Sequence, residues 1–166
     1  MNTTITLRNA TTSDLPVILS ITNDAILHST AHYAYEPQTL AVQTQWFEDK
    51  LAQNWPVIVA EADGKAVGFG TYGSFRVREG YRFTVEHSVY LQDDFQGRGI
   101  GQMLLLELVR LAKTQGFHTM IGVIDAANTG SCAFHARNGF EQVGHLRQVG
   151  YKFGQWLDLV LMQKML

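Results

Sequence analysis

Apolar and polar positions change their period several times along the chain, and each change marks an element. Ile5-Thr-Leu alternates and predicts a first strand. Thr11-Thr12-Ser13-Asp14 then offers several helix-capping side chains, with Pro16 in the first turn. Leu15, Ile18, Leu19 and Ile26 form a helical stripe to about His28, and the mixed residues 29–37 predict a loop. Thr39 is expected to cap a second helix that buries Leu40, Trp46, Phe47 and Leu51. Residues 56–61, the Asp63-Gly64 turn and residues 66–72 predict a β-hairpin, and residues 83–91 a third consecutive strand. A helix over 102–115 follows, closed by Gly116. Residues 119–124 predict a short buried strand. Asn128 or Thr129 opens a helix to about Arg137, which Asn138-Gly139 ends, and strands over about 141–149 and 157–164 complete the chain. The order β-α-α-β-β-β-α-β-α-β-β predicts an α/β fold, a mixed sheet with helices on its faces, with residues 1–166 as one domain.

Composition narrows the class. With 166 residues, 46% hydrophobic and 17% charged, the chain suits a soluble globular domain with a sizeable core. A formal net charge of −2 supplies no excess positive field, which argues against nucleic acid as the main partner. The single cysteine, Cys132, allows no intramolecular disulfide and no Cys-rich metal site, and it fits a reducing, cytoplasmic setting. The first residues lack the apolar core of a signal peptide, and no apolar run is long enough to span a bilayer, so no membrane partner is expected.

Any anion binding must then be local, and one stretch is built for it. Gln96-Gly97-Arg98-Gly99-Ile100-Gly101 places three glycines in six residues directly before a predicted helix. Free N–H groups and the positive dipole end at a helix N-terminus attract anions, and Arg98 adds a cation suited to phosphate. The dinucleotide fingerprint G-x-G-x-x-G fails because position 102 is Gln, and a Walker A loop fails because Gly101 is followed by Gln-Met. A pyrophosphate cradle and a plain connecting turn remain the alternatives.

The neighbours suggest acyl transfer, which needs an anchored donor, a polarised carbonyl, a base for the amine and a proton for the leaving thiolate. The strand ending at Leu91 leads into the cradle, and a backbone N–H at Val89 is placed to polarise a carbonyl. Glu86 lies in an otherwise apolar strand, where partial burial would raise its pKa toward that of a useful base. The alternatives are a solvated carboxylate or a partner for nearby arginines. Glu86-His87 forms no known metal pattern, and strand alternation puts the two on opposite faces, so no metal is expected. His135 lies seven residues beyond Asn128, on the same helical face, where an imidazole can protonate a sulfur or simply pack. Cys132 reads as core. Arg76, Arg78 and Arg82 can clamp an oxyanion or form a solvated loop. Tyr33 and Tyr35 can wall a small pocket or pack on the core.

Together these residues resemble a known family. The strand, the Gln96-to-Gly101 loop and its helix, then a strand, Asn128 and Asn138-Gly139-Phe140, resemble the GNAT superfamily of N-acetyltransferases, whose loop pattern is Q/R-x-x-G-x-G/A. Thr84-Val-Glu-His-Ser-Val-Tyr and Gly150-Tyr-Lys-Phe-Gly-Gln-Trp-Leu-Asp are similar to the phosphinothricin and methionine sulfone/sulfoximine acetyltransferases, as are Ile21-Thr-Asn-Asp-Ala and Glu36-Pro-Gln-Thr.

The resemblance implies a mostly antiparallel central sheet and acetyl-CoA as donor. Val89, Tyr90 and Leu91 would contact the pantetheine arm, Gln96, Gly97, Arg98, Gly99, Ile100 and Gly101 the pyrophosphate, and Asn128 and Ser131 the cofactor again. Glu86 matches the family's general base. His135 falls where many members carry a tyrosine acid. Tyr33, Tyr35, Glu86 and His87 would line the acceptor pocket, with Arg76, Arg78 and Lys152 as oxyanion partners. The expected acceptor is a small amino-acid analogue acetylated on its α-amine, and the expected assembly is a homodimer. The alternatives are another amine acceptor, such as a protein N-terminus or a polyamine, and a non-catalytic acyl-CoA-binding module.

Overall fold

Arg8 ties the start of the sheet to the start of the first helix. In the computed structural model, which describes residues 4–166, strand β1 (Ile5–Asn9) sends the Arg8 guanidinium to both oxygens of Asp14, at 2.7 and 2.8 Å, and to Glu61 at 2.6 Å. Asp14 also accepts the Thr11 N–H at 2.7 Å, completing a capping box that launches α1 (Leu15–His28). Thr39 caps α2 (Leu40–Ala52) by accepting the Val42 N–H at 3.3 Å. The buried side of α2 differs from the expectation. Gln43 and Phe47 face inward, whereas Leu40 and Leu51, at the two ends of the helix, are exposed.

The hairpin of β2 (Val57–Ala62) and β3 (Lys65–Ser74) turns on Asp63 and Gly64, both left-handed at φ 50° and 79°. Then come β4 (Thr84–Leu91), α3 (Ile100–Thr114), β5 (Thr119–Asp125), α4 (Thr129–Arg137), β6 (Glu141–Lys152) and β7 (Gln155–Met165). Helix α3 starts two residues earlier than expected because Gly99, at φ 80°, makes the turn into it. Strands β6 and β7 are also longer than expected. They continue past an irregularity between Leu146 and Gly150 to a tight turn at Phe153-Gly154.

Seven strands form one sheet in the order β1-β2-β3-β4-β5-β7-β6, antiparallel throughout except for β4 against β5. The alternation in β2 shows how it is covered. Ile58, Ala60 and Ala62 join the α3 residues Leu104, Leu105 and Leu108 on one face. Val57 and Val59 join Leu15, Ile18 and Phe47 of α1 and α2 on the other. The one parallel pairing is short. Strands β4 and β5 pair only over Thr84–Glu86 against Thr119–Ile121, and β5 continues alone along β7. Beyond Glu86 the two strands splay apart, and the sheet opens.

Candidate active site

The splay organises the site. Hydrogen bonds from Phe75 N–H to the Thr84 carbonyl and from Gln92 N–H to the Val67 carbonyl place the β3 ladder on the even-numbered residues of β4. The N–H groups of His87, Val89 and Leu91 therefore point the other way, into the opening. Side chains alternate too. Val89 and Leu91 lie on the α3 side, and Tyr90 packs on Phe69 on the opposite face.

On the α3 side a groove of about 920 Å³ runs past Val89, Leu91, Gln96, Gly97, Gly99, Gly101, Asn128 and Ser131. Gly97 and Gly99 are left-handed at φ 72° and 80°, a conformation that admits glycine at little cost. Gly99 caps α3 without any side-chain acceptor, so the first N–H groups of the helix face outward unpaired by a cap. Arg98 stacks its guanidinium 5.0 Å from the Phe95 ring centroid. Ile100 is fully buried, so only its backbone can serve an anion there. Asn128 caps α4 by accepting the Ser131 N–H at 3.0 Å. Tyr90, expected beside the cofactor, instead directs its side chain across the sheet.

A second cavity, of about 360 Å³, opens on the other side and shares His87, Val89, Asn128, Ser131 and His135 with the groove. Glu86, Ser88, Tyr90, residues 122–125, Leu159 and residues 30–33 form the rest of its wall. Burial pushes the Glu86 carboxyl above its ordinary pKa, while the charges of Arg76 and Lys50 pull it back. The loop of residues 29–35 is anchored from several directions. Lys152 donates to the carbonyls of Ser29, at 2.7 Å, and His32, and Thr30 donates to Asp125. Tyr90 donates to the Ala31 carbonyl at 3.3 Å, and Tyr35 to the Tyr151 carbonyl. The Tyr33 ring lies over Gly150, where a Cβ would come within 3.0 Å of the ring Cζ.

The expected set of oxyanion partners is not assembled in this cavity. Lys152 is 3% exposed and its ammonium is engaged by loop carbonyls. Arg76 and Arg78 are exposed and do not line the wall, although Arg76 is close enough to act on Glu86 through space. Tyr35 is exposed and holds the hairpin rather than the cavity. What does line the cavity is a second carboxylate, Asp125, which the sequence reading missed. Its signal was an acidic residue ending a buried strand three positions before the helix-capping Asn128.

Between the two cavities lies a pair of histidines. His87 Nε2 and His135 Nε2 are 3.1 Å apart, and the rings stack at 5.1 Å. His135 Nδ1 lies 2.7 Å from the Ser131 carbonyl. Burial lowers both pKa values, that of His87 to about 3, so both rings are neutral near pH 7. A carbonyl only accepts, so His135 carries its proton on Nδ1 and its Nε2 is bare. His87 must then donate from Nε2, which leaves its buried Nδ1 a lone pair without a partner. In this arrangement His135 has no proton aimed at the groove. Gly122 closes against the pair, since a Cβ there would lie 3.1 Å from His87 Nε2 and 3.2 Å from His135 Nε2.

Comparison with known proteins bears on this geometry. The model of the acetyltransferase (GNAT) family matches residues 21–140. The chain belongs to the GNAT family. It is 46% identical over 158 residues to an L-methionine sulfoximine/L-methionine sulfone acetyltransferase of Pseudomonas aeruginosa, covering 95% of this chain and 92% of that one. It is 38% identical over 160 residues to a phosphinothricin N-acetyltransferase of Alcaligenes faecalis, covering 96% and 81%. A solved phosphinothricin acetyltransferase of Sinorhizobium meliloti, in complex with acetyl-CoA, superposes with a TM-score of 0.95 at 38% identity, covering 98% of this chain and 89% of that one. The GNAT chain is thus an acetyltransferase, and its two cavities meet at the splay from opposite faces of the sheet. Among its described residues, no three His, Cys, Asp or Glu side chains gather as a metal would require.

Proposed function

We propose that this acetyltransferase moves the acetyl group of acetyl-CoA to the α-amine of a small amino-acid analogue bearing a sulfur or phosphorus oxo group, of the methionine sulfoximine, methionine sulfone and phosphinothricin kind. The observation that carries the reading is Glu86, a half-buried carboxylate on the wall of an acceptor-sized cavity, next in sequence to His87, which that cavity shares with the groove. Acetyl-CoA supplies an activated acyl carbonyl. The left-handed glycines and the open start of α3 would hold its pyrophosphate, and Val89, Leu91, Asn128 and Ser131 would line its arm. The Val89 N–H, free of the β3 ladder, points where a carbonyl oxygen needs polarising. Glu86 accepts the amine proton, directly or through water, as the new C–N bond replaces the C–S bond. CoA would leave as the thiolate and take its proton from solvent. Asp125 puts a second carboxyl group on the acceptor side of the wall.

His135 enters this reading as cleft wall. It would have to surrender the bond from His87 before its Nε2 could move a proton. The two wall carboxylates would also suit a polyamine or a protein N-terminus, but a cavity of about 360 Å³ favours a small acceptor. We also place the enzyme in the cytoplasm, in keeping with its single cysteine, and read it as a homodimer.

The test is release of free CoA thiol with methionine sulfone, methionine sulfoximine, phosphinothricin, spermidine and a short peptide. Saturable turnover with the first three is expected, and turnover confined to spermidine or peptide would overturn the acceptor assignment. Glu86→Gln should lower kcat by about a hundredfold or more while leaving acetyl-CoA affinity nearly unchanged. An unaltered kcat would remove Glu86 from the chemistry.

A further inference from the structure

Helix α2 carries a lysine among the residues that face the sheet. The Lys50 ammonium donates to the Tyr72 carbonyl at 2.9 Å and lies 5.8 Å from the Trp46 ring centroid. A Cβ on Gly73 would stand 3.1 Å from Nζ, nearer than such contacts ordinarily come. Gly73 is the residue directly opposite Glu86 in the β3–β4 register. Residues opposed in this way point to the same face with their Cβ atoms about 5 Å apart. The ammonium therefore occupies the place beside Glu86 that any larger residue at position 73 would fill.

We propose that Lys50 is a positioning residue of the reaction, a cation admitted by the missing side chain of Gly73 that keeps the Glu86 carboxylate ionised within the acceptor cavity. The inference rests on Glu86 being the base. Burial alone raises the proton affinity of Glu86, and a base that is already protonated cannot accept a proton. Two cations oppose this. Arg76, from the segment after β3, is exposed and screened by water and salt, whereas Lys50 acts from a partly buried position where screening is weaker. Burial brings the Lys50 ammonium down to about 8, so it is charged from acid to neutral pH. The remaining groups around Glu86 are Asp125 of β5, His32 and Tyr33 of the loop, Tyr90 of β4 and the neutral His87–His135 pair. Among these side chains none is a cation near neutral pH. No direct ion pair joins Lys50 and Glu86 among the described residues, so the action is through space.

The experiment compares Lys50→Met, Lys50→Arg and Gly73→Ala by two readouts: titration of the Glu86 side chain by carboxyl carbon NMR, and the pH profile of kcat/KM. Gly73 has no left-handed backbone, so alanine there meets no backbone strain, and its methyl group shifts the ammonium without removing it. Lys50→Met should move the Glu86 midpoint upward and lower kcat/KM about five- to tenfold on the acid limb, a loss that grows as pH falls, and Gly73→Ala should act in the same direction more weakly. Lys50→Arg should recover most of it. A Glu86 midpoint unmoved by Lys50→Met would overturn the proposal. A midpoint that rises without any change in the acid limb would uphold the action of Lys50 on Glu86 and overturn instead the assignment of Glu86 as base.

Discussion

His87 illustrates how one side chain can set a pH response. It lies between β4 and α4, 7% exposed, edge-on to Phe140 at 5.5 Å and stacked on His135. Charging it there has no compensating partner, and burial lowers its pKa to about 3 from the ordinary 6.5. Between those values the unfolded chain binds a proton that the folded chain refuses. Stability from this group is therefore fully present above about pH 6.5 and is lost as pH falls toward 3. Chemical denaturation of His87→Phe across that window should show a flatter dependence on pH than the parent protein. An equal slope in both would mean that His87 is charged, or solvated, in the fold. Strand alternation already told that His87 and Glu86 look in opposite directions. It could not tell that His87 meets a histidine 48 positions further on, because that contact depends on how α4 packs over the splay.

Among the elements, the β6–β7 hairpin shapes the acceptor cavity from a distance. Gly150 gives the Tyr33 ring its place, Lys152 holds two carbonyls of the same loop, and the Tyr151 carbonyl takes the Tyr35 hydroxyl. Gly150→Ala would drive a methyl group into the ring and displace the wall formed by residues 30–33. We expect KM for the acceptor to rise about tenfold or more, with KM for acetyl-CoA nearly unchanged, since the groove lies on the other face of the sheet. Equal changes in both would indicate a general loss of structure. The same hairpin carries Lys152, expected as an oxyanion partner, and only the fold reveals the Ser29 and His32 carbonyls that engage its ammonium. The order of elements, by contrast, was legible, because each reports its own period and carries its own caps: Thr39, Asn128, Gly116.

At the scale of the molecule, the sheet ends in a strand paired on one side only. Strand β6 lies at the edge, and Val149, Tyr151, Phe153 and Trp156 are all exposed along its hairpin, Trp156 at 63%. An apolar edge of this kind is a template for association unless it is covered, and a second copy of the chain is the cover proposed for it. Sedimentation should give a dimer, and Trp156→Glu should shift it toward monomer. A parent protein that sediments as a monomer at micromolar concentration would sink the dimer reading. Because the hairpin also anchors residues 29–35, monomeric Trp156→Glu should bind the acceptor more weakly than the parent.

Much of this protein was determined by sequence acting locally. Apolar period set the helices and strands, capping side chains set where α1, α2 and α4 begin, and glycines able to turn left-handed built the loop before α3. Neighbours along the chain decide such features, so they can be read without knowing the fold. The tertiary structure decided which distant groups meet: the short parallel pairing that leaves β4 and β5 splayed, Glu86 and Asp125 in one cavity, Lys50 beside Glu86 through Gly73, and the two imidazoles bonded to each other. These depend on strand order and register, which many local patterns share. The chemistry of the site follows from that arrangement, because burial and neighbouring charge, rather than residue identity, set the proton affinity of each group.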